Sequence, residues 1–117
     1  MTSFDELKYF TNVTRLPVAE GAPYNGTGVF SGCAKLESID LTNITAIGLA
    51  CFRNCTSLKS VKNTQNLTSI SIDNYADWAF LNCTSLEYID LSNVTVIDSR
   101  AFIGCSKLAN VESLQNL

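Results

Sequence analysis

The stretch Cys33-Ala-Lys-Leu-Glu-Ser-Ile-Asp-Leu-Thr-Asn-Ile-Thr-Ala-Ile47 returns later in the chain as Cys83-Thr-Ser-Leu-Glu-Tyr-Ile-Asp-Leu-Ser-Asn-Val-Thr-Val-Ile97. Working outward, each cysteine follows a phenylalanine by three positions and precedes a leucine by three. The resulting ladder reads Phe30–Cys33–Leu36–Ile39, Phe52–Cys55–Leu58–Val61, Phe80–Cys83–Leu86–Ile89 and Phe102–Cys105–Leu108–Val111. A weaker copy, Phe4–Leu7–Phe10–Val13, places Leu7 in the cysteine slot. Self-similarity at a nearly fixed period is the signature of stacked repeats, in which no single repeat can bury its own apolar edge.

Taking each ladder phenylalanine as a start, repeats open at residues 4, 30, 52, 80 and 102. Within a repeat, the alternation of Ile39 with Leu41 and of Ile89 with Leu91 predicts a short strand. A second extended piece is expected over Asn43–Ile47 and Asn93–Ile97. The three-residue spacing of Phe-x-x-Cys predicts a helical or 3-10 turn. These readings give an α/β solenoid of about five coils, with a short parallel sheet on one face and short helical turns on the other. The whole chain, 1–117, reads as one domain. It divides into an N-terminal capping repeat (1–29), full repeats at 30–51, 52–79 and 80–101, and an incomplete C-terminal repeat (102–117). Ser3-Phe-Asp-Glu6 has the form of a capping box ahead of a short helix containing Leu7, Tyr9 and Phe10. At the other end Leu114 and Leu117 continue the three-residue spacing with no polar cap, so self-association through that end is one expectation.

Apolar residues make up 46% of the 117 and charged residues 16%, which suits a packed core rather than a disordered chain. With 8 basic and 11 acidic residues and no basic run, the chain lacks the electrostatic footprint of a nucleic-acid or anionic-membrane binder. No apolar run reaches the length of a membrane span. The polar, acidic start is not a signal peptide. There is no histidine, no nucleophile–base motif and no phosphate-binding glycine loop, so neither an enzyme nor a cofactor is expected.

Cys-Thr-Ser-Leu-x-x-Ile-x-Leu, followed by Val-Thr-x-Ile and Ala-Phe-x-x-Cys, resembles the BspA-like leucine-rich repeats of surface and secreted proteins from anaerobic bacteria and some parasitic protists. The resemblance covers 30–111 well and 4–29 loosely. It implies a leucine-rich-repeat solenoid used for adhesion or recognition, at the cell surface or outside the cell, and no catalytic residues. The family often carries proline after the strand, where this chain has Thr42 and Ser92.

Candidate chemistry is sparse. Four of the five cysteines share one slot, which suits small packed thiols better than convergent metal ligands, and Cys51 occupies the place of Ala79 and Ala101. Asn-x-Ser/Thr triplets begin at Asn12, Asn25, Asn43, Asn54, Asn66, Asn82 and Asn93. Most are products of the repeat template, and Asn25 is the best-placed glycan acceptor. If Ile39 and Leu41 point inward, the outward strand set includes Ser38, Asp40, Ser60, Lys62, Tyr88 and Asp90, with Asn12 and Thr14 in the first repeat. Two insertions precede ladder phenylalanines and carry Tyr24, and Tyr75 with Trp78. The candidate contact residues are therefore Asp40, Lys62, Tyr88, Asp90, Tyr24, Tyr75 and Trp78. The expected partner is a protein or a glycan, with a structural or assembly role in a larger surface protein as the alternative. Asp73 and Asp77 make a poor calcium site.

Overall fold

In the computed structural model, which describes residues 3–4, 15–16, 29–48, 50–70, 78–97 and 100–109, the ladder residues from Phe30 to Leu108 form a single column of apolar side chains, all buried but the half-buried Cys33. Phe30, Phe52, Phe80 and Phe102 stack ring on ring, with centroids 5.4, 5.0 and 5.0 Å apart and planes within 10° of parallel. Spacing near the parallel-strand distance lets one backbone step per repeat serve both ring contact and hydrogen bonding. Leu36, Leu58 and Leu86 are fully buried beside them.

Seven short strands are described: β1 (Ser3–Phe4), β2 (Arg15–Leu16), β3 (Ser38–Asp40), β4 (Ala46–Ile47), β5 (Ser60–Lys62), β6 (Ser69–Ile70) and β7 (Val96–Ile97). All pairings are parallel, in two open sheets ordered β1-β3-β5 and β2-β4-β6-β7. The first sheet continues as a single bridge from Ser60 to Tyr88. The second extended piece of each repeat thus builds a sheet of its own, longer than the one read from Ile39 and Leu41.

Among the described residues there is no helix. The three-residue spacing belongs instead to tight turns laid end to end. Cys33 N–H donates to the Phe30 carbonyl at 3.1 Å and Leu36 N–H to the Cys33 carbonyl at 3.1 Å, and the same pair of bonds recurs at 52–58, 80–86 and 102–108. A helix cannot propagate because the residue before each of the four ladder cysteines is left-handed: Gly32 (φ 76°), Asn54 (60°), Asn82 (60°) and Gly104 (82°). Glycine and asparagine are the residues that take this conformation at least cost.

Two further corrections concern phase. Phe4 pairs in register with Ile39, and Ser3 with Ser38. Phe4 therefore holds a strand position, not the ladder-phenylalanine position, while Asp5 and Glu6 of the expected capping box lie outside the described residues. Asn12, Thr14, Leu7, Tyr9, Phe10, Leu114 and Leu117 lie outside the described residues. In the third repeat, Asn63 is inserted with φ 60° after β5, so Thr64 rather than Asn63 takes the buried slot of Leu41. The register evidence is the following turn: Leu67 N–H bonds the Thr64 carbonyl (3.0 Å) as Ile44 N–H bonds that of Leu41 (2.9 Å). The Thr64 hydroxyl donates to the Asp90 carbonyl at 2.7 Å, where one repeat earlier the Leu41 N–H bonds the Lys62 carbonyl at 2.9 Å.

Candidate functional site

The outer face of the first sheet carries a column fixed by register: Ser3, Ser38, Ser60 and then Tyr88. Strand alternation turns these side chains away from Ile39, Val61 and Ile89. Tyr88 is 60% exposed, the most open of the large apolar residues described. An aromatic ring on a rigid strand loses little freedom when it is covered, so it is a favourable contact anchor.

The neighbouring column holds Asp40, Lys62 and Asp90, and the two aspartates differ. Asp40 is 5% exposed, contrary to its expected place on the open face. Its carboxylate accepts the Thr42 N–H (3.0 Å), the Thr42 hydroxyl (2.5 Å) and the Asn63 amide (3.0 Å), the last supplied by the inserted residue. Asp40 is thus committed to the fold. Asp90 is exposed; it accepts the Ser92 hydroxyl and the Ser92 N–H (2.9 Å), which hold its carboxyl below the usual carboxylate range. Thr42 and Ser92 stand where the family often has proline, and their N–H donation is one that proline lacks. Lys62 is exposed on the strand between the aspartates. Ser60, Lys62, Tyr88 and Asp90 therefore share one solvent-facing patch. A second alternation of charge, Glu37, Lys59 and Glu87, runs along the strand entrances, with Lys59 N–H on the Glu37 carbonyl at 2.8 Å. Lining up the repeats by column would have exposed it.

The aromatic flank is only partly described. Tyr24, Tyr75, Asp73 and Asp77 lie outside the described residues. Trp78 is half-buried with a left-handed backbone (φ 66°), and the Arg53 guanidinium lies 5.7 Å from its ring centre. That geometry is a cation–π contact, which ties Trp78 to the preceding repeat.

All five cysteines are free thiols. Cys55, Cys83 and Cys105 each donate through sulfur to the carbonyl of the phenylalanine one repeat earlier, Phe30, Phe52 and Phe80, at 3.1 Å in every case. The slot requires a small apolar side chain that is also a donor, and cysteine is both. Burial pushes the Cys51 thiol well above its ordinary value and Cys55 up to about 12. Cys83 is raised first by its hydrogen bond with Cys105 and then by burial. Thiols held protonated in this way are poor nucleophiles. Among the described residues no three His, Cys, Asp or Glu side chains gather as metal ligands.

Among the described residues, Asn54, Asn66, Asn82 and Asn93 of the triplets make contacts between repeats. Asn66 and Asn93 donate their amides to the Thr42 (2.6 Å) and Gln65 (2.9 Å) carbonyls of the preceding repeat, and Asn82 donates to Asn54 at 3.2 Å. Asn12 and Asn25 fall outside the described residues.

A family profile, the BspA type leucine-rich repeat region, matches this chain in six copies across residues 2–109. The chain belongs to the BspA-type leucine-rich repeat family. Searches of the curated proteins and of the solved structures return no match. Repeats of the BspA type are generally non-catalytic scaffolds, typical of protein-interaction or surface modules and often found on surface proteins. Among the described residues no helix is long and apolar enough to cross a membrane.

Proposed function

We propose that this BspA-type chain is an open solenoid serving as a recognition module, at a cell surface or outside the cell. Its contact face is the patch of Ser60, Lys62, Tyr88 and Asp90, and its partner is a protein or a glycan. The observation that carries this reading is the replacement of serine by a 60% exposed tyrosine at one position of an otherwise serine-lined strand column. The earlier repeats hold the same position with serine, so the repeat does not require an aromatic ring there. Lys62 and the ionised Asp90 flank it with one charge of each sign, which suits a mixed polar surface better than a polyanion. Family membership supports the module and the surface setting.

The test is a binding screen against extracellular proteins and a glycan array, repeated with Tyr88→Ala. Loss of the recovered interaction with an unchanged melting temperature supports the patch. A partner that binds Tyr88→Ala as well as the unmodified chain places the contact elsewhere.

A further inference from the structure

Three rows of side chains cross the first sheet: Glu37, Ser38 and Asp40; then Lys59, Ser60 and Lys62; then Glu87, Tyr88 and Asp90. Both outer columns therefore run acid, base, acid along the stack. Opposite charges on adjacent strands ordinarily serve a sheet by pairing across it. The first column is not used in that way. The side chains of Glu37, Lys59 and Glu87 are exposed and make no hydrogen bond or ion pair among the described residues. Asp90 places both Ser92 bonds on one carboxylate oxygen, and its Oδ2 has no partner among the described residues. In Asp40 the second oxygen is taken by the Asn63 amide. Unused charge of both signs thus surrounds the exposed Tyr88, in the second and third rows.

We propose that this face binds a second copy of the chain, face to face about a two-fold axis that runs along the strands between the second and third rows. The proposal rests on the reading of this face as the contact surface and names its partner. Half a turn about that axis keeps strand direction and reverses the stacking order, so each second row meets a third row. Lys59 and Lys62 then face Glu87 and Asp90 of the other copy, and Tyr88 faces the small Ser60. By symmetry every contact occurs twice. A partner of uniform charge is repelled by one of the two rows, whereas this chain turned over carries the rows in the matching order. Other two-fold placements fit less well. An axis along either of these rows, or along the stack, lays like charge on like charge. An axis between the first and second rows sets Lys62 against Asp40, whose carboxylate Thr42 and Asn63 already occupy. The described face is small against a standard interface, so the dimer is weak and sensitive to salt.

Sedimentation equilibrium of the whole chain from about 10 μM to about 1 mM tests this, a range that reads a weak Kd. The mass should rise toward the dimer and level off there. Lys59→Glu and Glu87→Lys, both at exposed positions, should each weaken the dimer by at least about tenfold, since one substitution acts at two symmetric contacts. Mixing the two variants should bring the dimer back, because each acid of one chain then faces a lysine of the other. Lys59→Glu lines three carboxylates in one column; should it fold poorly, Glu87→Lys alone must still lose the dimer. A monomer throughout that range, a dimer indifferent to both substitutions, or a mixture no more associated than its components would overturn the second copy as partner. A monomer whose partner from the binding screen is still lost on Tyr88→Ala leaves the contact face standing. A dimer that Tyr88→Ala also leaves unchanged, with no screened partner lost, overturns both.

Discussion

The phenylalanine–cysteine wall and the outer strand face are built from the same repeats, yet they behave differently along the stack. On the wall each rung is nearly a copy of the one before: ring on ring, thiol to carbonyl at 3.1 Å, and a left-handed glycine or asparagine ahead of the cysteine. On the strand face each repeat differs from the last. Serine becomes Tyr88, aspartate becomes Lys62, and an extra residue, Asn63, enters the chain. A wall whose groups satisfy one another across every interval has no freedom to vary without leaving a polar group buried and unpaired. A face turned to solvent has that freedom, and specific contacts can be placed there.

The sharpest way to break this contrast is a cut in the wall. Phe52 is fully buried between two rings, so Phe52→Ala should cost about 3–5 kcal/mol, read from the urea midpoint. A change near zero would mean that the ring column is not the core. The aspartates sharpen the comparison within one column. Asp40→Ala strips three donors of their acceptor and should cost about 1–3 kcal/mol, while Asp90→Ala, at an exposed site, should stay within about 0.5 kcal/mol. Equal effects would show that burial does not separate them.

Much of the wall was legible in the sequence, because Phe, Cys and Leu at fixed spacing leave few other ways to bury a repeated apolar edge. The same spacing misled at finer scale. Three residues suit a helical turn, but glycine or asparagine immediately before each ladder cysteine was the sequence signal for chained turns with a left-handed joint. Phe4 was misplaced for a related reason. An aromatic near the start resembles a ladder residue, whereas the pair Ser3-Phe4 matches Ser38-Ile39 once serine columns are compared. Tyr88 and Lys62 followed from alternation alone. The burial of Asp40 did not, since it depends on Asn63, an inserted residue on the next strand whose amide reaches back.

The thiols give a smaller effect with a distinctive pH dependence. Cys55→Ser keeps a donor for the Phe30 carbonyl and should cost about 1 kcal/mol at neutral pH. The folded Cys55 thiol holds its proton up to about 12, against 9.0 ordinarily, so the unfolded chain releases this proton first. Its contribution is complete below pH 9.0 and is lost as pH rises toward about 12. The serine variant should therefore lose less stability than the unmodified chain across that interval in urea titrations at stepped pH. Parallel losses would mean that Cys55 is not a buried, protonated donor.

The smallest expected effect on stability is the most telling for function. Tyr88 is bridged to Ser60 through backbone and its ring stands in solvent, so Tyr88→Ser restores the residue that earlier repeats use. Its unfolding free energy should move by no more than about 0.5 kcal/mol. Trp78→Ala, which removes a half-buried ring from beneath Arg53, should lower stability by more than Tyr88→Ser does. Melting curves ranked in this order place Trp78 with the wall and Tyr88 with the face. The reverse ranking would show that the tyrosine supports the stack, and its exposure would then no longer argue for a contact site.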